Sequence, residues 1–198
     1  MTERNGKTPM AIAALIDRAR TGDARAFEAL VETYQDRIYT YAARMLNDPV
    51  EAEDIAQETF LRAYMSLARF RGTASFQTWL YRIAGNLVID AVRRRRRRDD
   101  FTFSIDEPIE TGHGSFEREF ADERRGPEEL ADSAVVTAEV GQAVAQLSDT
   151  LRPVLVMYDL QGLSYQEIAV ILGVPLGTVK SRLYNARIQL KMLLTDLL

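Results

Sequence analysis

Residues 163–191 read LSYQEIAVILGVPLGTVKSRLYNARIQLK, and this stretch predicts two short helices joined by a tight turn. Ser164 and Glu167 have the spacing of a capping box at the start of the first helix. Gly173 favours a left-handed residue that ends this helix, and Pro175 keeps the chain from continuing as the same helix. The stretch therefore predicts a helix-turn-helix.

The second helix, expected from about Leu176, has apolar residues at helical spacing that predict a buried stripe. Its opposite face suits the DNA major groove, because hydroxyl and amide groups hydrogen-bond base edges while basic flanks meet phosphates. An ordinary amphipathic helix with a solvated polar face is the alternative. The predicted stripe is Val179, Leu183, Ala186, Leu190 and Leu193; the opposite face is Gly177, Ser181, Tyr184, Asn185 and Ile188, with Lys180, Arg187 and Lys191 on one flank and Arg182 on the other.

The composition limits the class of protein. A chain of 198 residues with 46% apolar residues can bury one or two small cores. The absence of cysteine excludes disulfides and thiolate metal sites. No run approaches the roughly 18 apolar residues that span a bilayer, and residues 1–10 lack the order of a signal peptide. We therefore expect a cytoplasmic protein without membrane insertion.

The net charge of −4 is unevenly distributed along the chain. Residues 99–138 contain 12 acidic and 3 basic side chains, so the acidity lies in the middle. Residues 99–132 also lack a sustained apolar period, which predicts an extended acidic linker. The only histidine, His113, lies there between two glycines, where we expect a flexible turn and neither a metal site nor a catalytic triad.

Two helices are predicted at the start of the chain. Pro9 suits the opening turn of the first, and Gly22 follows its end. Asp23 is expected to cap the second helix, whose apolar residues recur at three- and four-residue steps to about Leu46.

Two longer helices follow. Asp48 is expected to cap the third, which ends near Arg69, with Glu51 completing a capping box. Ser75 is expected to cap the fourth, which ends in the six arginines of residues 93–98.

Helical periodicity resumes on the far side of the acidic segment. It runs from Ser133 through Val140 to Leu147, and Ser148 is expected to cap a further helix with the sequence TLRPVLVMYDL.

The third helix begins with the acidic cluster Glu51, Glu53, Asp54 and Glu58, together with Gln57. Carboxylates are favourable near a helix N-terminus, which is one explanation. A docking face for a basic partner is the other, and the spacing alone does not decide between them. A catalytic acid/base pair is not favoured, because no nucleophile, histidine or phosphate loop accompanies the cluster.

The arginine run 93–98 lies at the end of a helix that follows the aromatic loop 70–75, FRGTAS. A run of this kind is commonly a solvated face or an extended tail. Guanidinium groups also pair with phosphates, and aromatic rings stack on unpaired bases, so the combination suits partly single-stranded DNA. For Trp79, core packing is favoured over base contact.

Three long stretches in this order resemble the sigma-70 family of bacterial RNA polymerase sigma factors, in its extracytoplasmic-function group. EAEDIAQETFLRAY is similar to region 2.2, FRGTASFQTWLYRIAGNLVIDAVRRRRRR to regions 2.3 and 2.4, and YDLQGLSYQEIAVILGVPLGTVKSRLYNAR to region 4. The resemblance implies an all-α fold of two small helical domains. A four-helix region 2 would span residues 9–98, an acidic linker 99–132, and region 4 residues 133–198.

The resemblance also implies three sets of site residues. The set expected to dock on the polymerase β′ clamp is Glu51, Asp54, Gln57 and Glu58. The set expected to bind the −10 element, including a pocket for a flipped base, is Arg62, Phe70, Arg71, Gly72, Thr73, Ala74, Ser75, Asn86, Arg93 and Arg94. The set expected to bind the −35 element is Thr178, Lys180, Ser181, Tyr184, Asn185 and Arg187.

The implied function is that of a dissociable subunit of core RNA polymerase, which contacts the β′ clamp and β flap and helps to open promoter DNA. No catalytic residue, metal or cofactor is expected, and an anti-sigma factor is a further expected partner. A stand-alone helix-turn-helix regulator with a sensing or dimerisation lobe is the alternative. The acidic helix and the arginine segment favour the sigma factor, because a sensing lobe needs neither.

Overall fold

The computed structural model describes residues 9–102 and 139–195, and within these ranges the secondary structure is helical, without strands. The predicted all-α class is confirmed. Most of the predicted acidic linker, with His113, and the helical period from Ser133 to Ala138 lie outside the described residues.

The helices are α1 Pro9–Arg20, α2 Ala24–Leu46, α3 Pro49–Ser66, α4 Phe76–Thr102, α5 139–146, α6 Arg152–Leu155, α7 Tyr165–Leu172 and α8 Leu176–Thr195. A 3-10 turn, Leu67–Arg69, follows α3, and a π-helical turn, Val156–Leu160, follows α6.

The predicted caps fix the starts of three N-terminal helices. The Asp23 side chain accepts a hydrogen bond from the Ala26 N–H at 3.1 Å. Asp48 accepts from two backbone N–H groups of α3, each at 3.0 Å. The Ser75 hydroxyl accepts from the Thr78 N–H at 3.0 Å. Each side chain satisfies donors that have no partner within the helix, so these three predictions are confirmed.

The helix-turn-helix has the predicted local structure. The Ser164 hydroxyl accepts from the Glu167 N–H at 3.3 Å, and the Glu167 carboxylate accepts from the Ser164 N–H at 3.0 Å, which completes the capping box. Gly173 ends α7 at φ 64°, in the left-handed region that costs glycine little. Leu163 and Ile168 on either side of the cap are buried.

The predicted capping role of Glu51 is wrong. Its carboxylate lies 2.6 Å from Arg95 Nη2, and the same nitrogen lies 2.7 Å from Asp48 Oδ2. Arg95 Nη1 also donates to the Leu46 carbonyl at 2.8 Å. A guanidinium is a stronger partner for a carboxylate than a neutral backbone N–H. Arg95 therefore joins the far end of α4 to the junction of α2 and α3.

The predicted cap at Ser148 is also wrong. Residues 149–151 form a turn, the Ser148 hydroxyl lies 3.2 Å from Thr150 Oγ1, and helix α6 begins at Arg152. Pro153 explains the later start. In a helix that began at residue 149, Pro153 would occupy an interior position that needs an N–H, whereas proline suits the first helical turn.

The two lobes, α1–α4 and α5–α8, pack on one continuous hydrophobic core in which α4 lies against α7. The Tyr81 hydroxyl donates to Gln161 Oε1 at 2.7 Å, and both side chains are buried. Arg152 Nη1 donates to the Met45 carbonyl at 2.9 Å. The polar groups that cross the interface are therefore satisfied by each other, as buried polar groups must be.

We predict that Tyr81→Phe destabilises the protein. The substitution keeps the ring but leaves the buried Gln161 carbonyl without its donor, which costs about 1–3 kcal/mol in free energy of unfolding. Urea denaturation followed by circular dichroism measures the change. Tyr184→Phe, at a tyrosine that is 68% exposed, is the matched control and should shift stability by less than about 0.5 kcal/mol. Equal effects of the two substitutions would contradict the role of this hydrogen bond.

We predict that Arg95→Gln lowers the free energy of unfolding by about 1–2 kcal/mol, because a half-buried guanidinium with three acceptors is lost. Arg97→Gln is the control from the same run, since Arg97 is exposed and, among the residues that the structure describes, its Nε donates to the Arg93 carbonyl at 3.4 Å. Thermal unfolding of both variants measures the difference. A larger loss of stability for Arg97→Gln than for Arg95→Gln would contradict this role of Arg95.

Candidate docking and nucleic-acid interfaces

The predicted docking residues divide into two groups on α3. Asp54 and Gln57 are exposed, and Glu58 accepts from Arg62 Nε at 2.6 Å in a pair that remains open to solvent. Glu51 differs from them, because its side chain is 22% exposed and is paired with Arg95. The exposed acidic surface of α3 is therefore centred on Asp54, Gln57 and Glu58.

Three apolar residues share this surface and were missed by the sequence reasoning. Val50, Leu61 and Met65 are 73%, 54% and 76% exposed. At 100° per residue they fall within about 60° of one another around the helix, on the side that carries Asp54. The available signal was an α3 sequence with more apolar residues than one buried stripe needs. Exposed apolar groups among charges are typical of a protein-binding surface.

The loop 71–75 leads from an aromatic cluster into α4. Phe70, Phe76 and Trp79 contact one another with ring centroids 5.0–5.8 Å apart. Phe76 is buried, while Phe70 and Trp79 are half-buried, so Trp79 packs largely as predicted. Gly72 has φ 68°, which favours glycine at the tip of this loop. The rings thus give a rigid base to an exposed loop.

A cavity of about 270 Å³ lies between this loop and α1. Four predicted −10 residues line it, but Arg62 and Asn86, which were predicted around the base pocket, do not. The α1 side of the cavity was not predicted, because nothing in the sequence places the first helix beside a loop fifty residues later. The lining residues are Ala13, Ile16, Asp17, Arg20, Phe70, Arg71, Gly72, Ala74 and Phe76.

The arginine run is helical, and the side chains of Arg93, Arg94, Arg95 and Arg97 differ in their surroundings. Arg95 is half-buried and binds acceptors at the junction of α2 and α3. Arg93, Arg94 and Arg97 are exposed. At 100° per residue Asn86, which is also exposed, lies within about 20° of Arg93. The predicted Asn86 and Arg93 therefore share one solvent-facing side of α4.

Helix α8 has the predicted buried stripe. Val179, Leu183 and Ala186 are buried, and Leu190 and Leu193 are half-buried. The opposite side is exposed and carries both polar and apolar residues. The exposed residues there are Gly177, Ser181, Tyr184, Asn185 and Ile188, with Lys180 on the flank and Thr178 half-buried.

Arg187 is exposed but has fixed partners. Its Nε and Nη2 donate to Asp159 Oδ2 and Oδ1 at 3.1 and 2.5 Å, and its guanidinium lies over the Tyr158 ring. The hydrogen bonds to Asp159 raise the pKa of Arg187 above its ordinary value. Among the predicted −35 residues it thus differs from Lys180, which has no side-chain partner among the described residues.

Glu167 connects the loop to the helix-turn-helix. Its Oε1 accepts from Thr78 Oγ1 at 2.9 Å and from Ser75 Oγ at 3.3 Å, while Oε2 accepts from Ser164. Burial raises the pKa of this carboxyl, but the hydrogen bonds from Ser164, Thr78 and Ser75 outweigh it and leave the pKa below its usual value. A residue of the predicted −10 loop is therefore bonded to the cap of α7.

Residues 9–102 and 139–195 contain neither the side-chain clusters of a metal site nor a membrane-spanning helix. No cluster of three or more histidine or acidic side chains in these ranges could hold a metal ion. No helix there is both long enough and apolar enough to cross a bilayer.

Solved structures show the same fold. The chain superposes on CnrH, from its complex with the cytosolic domain of CnrY, with a TM-score of 0.66 and 26% identity, covering 94% of this chain and 98% of that one. It superposes on the sigma factor RpoE of Bartonella quintana, from a complex with the anti-sigma factor NepR, with a TM-score of 0.67 and 22% identity, covering 87% and 98%.

Sequence comparison identifies both lobes. Residues 30–98 match Sigma-70 region 2, and residues 137–190 match Sigma-70, region 4. The RNA polymerase sigma-H factor of Pseudomonas aeruginosa is 39% identical over 176 residues, 87% of this chain and 88% of that protein. The ECF RNA polymerase sigma factor SigW of Bacillus subtilis is 38% identical over 188 residues, 95% and 99% of the two chains. The chain therefore belongs to the sigma-70 family of RNA polymerase sigma factors, in its extracytoplasmic-function group.

Proposed function

We propose that this protein is a sigma factor that binds core RNA polymerase in the cytoplasm and directs initiation at promoters with cognate −35 and −10 elements, without catalysing a reaction itself. The observation that carries the proposal is the presence of three separate exposed surfaces, on α3, on the loop with α4, and on α8, in a chain whose two lobes match regions 2 and 4. A stand-alone regulator would need only the third. Region 2 would span 9–98 and region 4 residues 133–198, with the acidic segment between them in the polymerase cleft.

The α3 surface is proposed to dock on the β′ clamp. Asp54, Gln57 and Glu58 would meet basic or amide groups, and the exposed Leu61 and Met65 would be covered by apolar ones. The mixture of charge and exposed apolar area supports a protein partner over a purely solvated helix N-terminus. Glu51 would contribute by holding Arg95, and thereby the start of α3, in place.

The loop and the exposed side of α4 are proposed to bind the −10 element. Arg93 and Arg94 would contact phosphates, and Arg62, Phe70 and Asn86 would surround the unpaired strand. Extruding a base from a duplex costs a few kcal/mol, so a loop already fixed by an aromatic cluster offsets part of the cost. The loop residues assigned to this role are Arg71, Gly72, Thr73, Ala74 and Ser75.

The exposed face of α8 is proposed to lie in the major groove of the −35 element, with Thr178, Ser181, Tyr184 and Asn185 towards the bases and Lys180 towards a phosphate. Hydroxyl and amide groups hydrogen-bond base edges, and Tyr184 offers a flat apolar face. Few uncompensated cations flank this face, and affinity for DNA depends on them. Region 4 would therefore bind weakly unless polymerase, through the β flap, holds it near DNA.

An anti-sigma factor is proposed as a further partner. The support is the likeness in fold and sequence to CnrH, whose solved structure is a complex with the cytosolic domain of CnrY.

We predict that Asp54→Arg abolishes association with core polymerase, because it reverses the charge at the centre of the proposed docking surface. Gel filtration of the full chain mixed with core polymerase measures co-elution. Asp36→Arg, at an exposed acidic residue of α2, is the control with the same charge change and should still co-elute. Co-elution of Asp54→Arg at the parent level would count against the docking surface.

We also predict that the purified chain alone binds duplex DNA poorly and that adding core polymerase produces specific initiation. In vitro transcription on genomic DNA, with 5′ ends mapped, would show start sites that share upstream elements. Core polymerase without the chain is the control and should give no such set. Tight, sequence-specific binding by the chain alone would favour the stand-alone regulator instead.

A further inference from the structure

The Arg187 side chain contacts the turn between α6 and α7. Its side chain makes two hydrogen bonds to Asp159, at 3.1 and 2.5 Å. Its guanidinium carbon is 5.3 Å from the centroid of the Tyr158 ring, which is stacked on Tyr165 with centroids 4.7 Å and planes 9° apart. A bidentate carboxylate and an aromatic face together hold an arginine more firmly than a single surface ion pair does.

Two lysines on the same flank of α8 are held differently. At 100° per residue, Lys180 and Lys191 lie within about 40° of Arg187 around the helix. Both are exposed, and among residues 9–102 and 139–195 neither has a side-chain hydrogen bond or ion pair. Among the described residues, the flank proposed to face the DNA backbone therefore presents two unpaired cations, Lys180 and Lys191, and one cation, Arg187, that is already paired.

This difference bears on DNA affinity. An unpaired lysine or arginine that neutralises a phosphate releases counterions condensed on the DNA, and this release raises the affinity. Arg187 is already paired with Asp159, so a phosphate would first have to displace that carboxylate. The same carboxylate also repels a phosphate that approaches Arg187.

We propose that Asp159 withholds Arg187 from the DNA backbone and thereby lowers the affinity of α8 for DNA of any sequence. The proposal rests on the proposed function, in which α8 lies at the −35 element. Phosphate contacts carry no direct sequence information, so removing one leaves more of the binding to the base-facing Ser181, Tyr184 and Asn185. Asp159 is thus a positioning residue that raises selectivity without touching DNA.

The test compares holoenzymes assembled from core polymerase and the full chain or its variants. Each is titrated with a promoter duplex and with the same duplex carrying a scrambled −35 element, between about 50 and 200 mM salt. Asp159→Asn keeps the side-chain shape and removes the charge. The slope of log affinity against log salt should steepen by about 0.9, which makes the loss of affinity across this range roughly 3.5-fold larger. Affinity for the scrambled duplex should rise most, so selectivity should fall.

Arg187→Gln is the decisive second variant, because its result does not depend on how Asp159→Asn folds. As a single substitution, Arg187→Gln should leave the salt slope unchanged. Combined with Asp159→Asn, it should cancel the steepening that Asp159→Asn causes. Lys180→Gln is the matched control and should flatten the slope by about 0.9.

Two results would overturn the proposal: Arg187→Gln flattening the slope as much as Lys180→Gln, or a folded Asp159→Asn with the parent slope. Failure of the parent holoenzyme to prefer the promoter over the scrambled duplex would overturn the underlying −35 assignment as well.

Discussion

The packing of α4 against α7 is the contact on which the rest of the structure depends. One side of α4 completes the core of the N-terminal lobe, and the same helix supplies Tyr81 and Thr78 to Gln161 and Glu167 of the C-terminal lobe. Because α4 also carries the arginines and Asn86, its rotation is fixed from both lobes at once. The direction of the exposed side of α4 thus follows from buried contacts rather than from the charged residues themselves.

Much of the fold was predictable because it is encoded locally. The caps at Asp23, Asp48 and Ser75 each involve atoms two or three residues apart, and the turn at Gly173 depends on one residue's backbone. The buried stripe of α8 follows from the helical spacing of its apolar residues alone. Interactions of this range need no knowledge of the tertiary structure, so the sequence determines them almost alone.

The predictions that were wrong or missing concern interactions between residues that lie far apart in the sequence. Glu51 was assigned to its own helix start, whereas its partner, Arg95, arrives from another helix. The bond between Ser75 and Glu167 joins residues 92 positions apart, and that between Asp159 and Arg187 joins residues 28 apart. A charged side chain takes the strongest partner the fold delivers, and periodicity does not say which that is. The cavity against α1 was missed for the same reason.

The half-buried position of Arg95 sets a rule for how the arginine run can vary. The exposed members of the run contribute diffuse positive charge, which requires no strict side-chain geometry. Deleting or inserting one residue ahead of position 95 would instead turn the rest of the helix by about 100° and move this guanidinium away from its three acceptors. The fold therefore constrains the helical register of the run, which sets the direction of Arg95, and does not constrain the number of arginines in it.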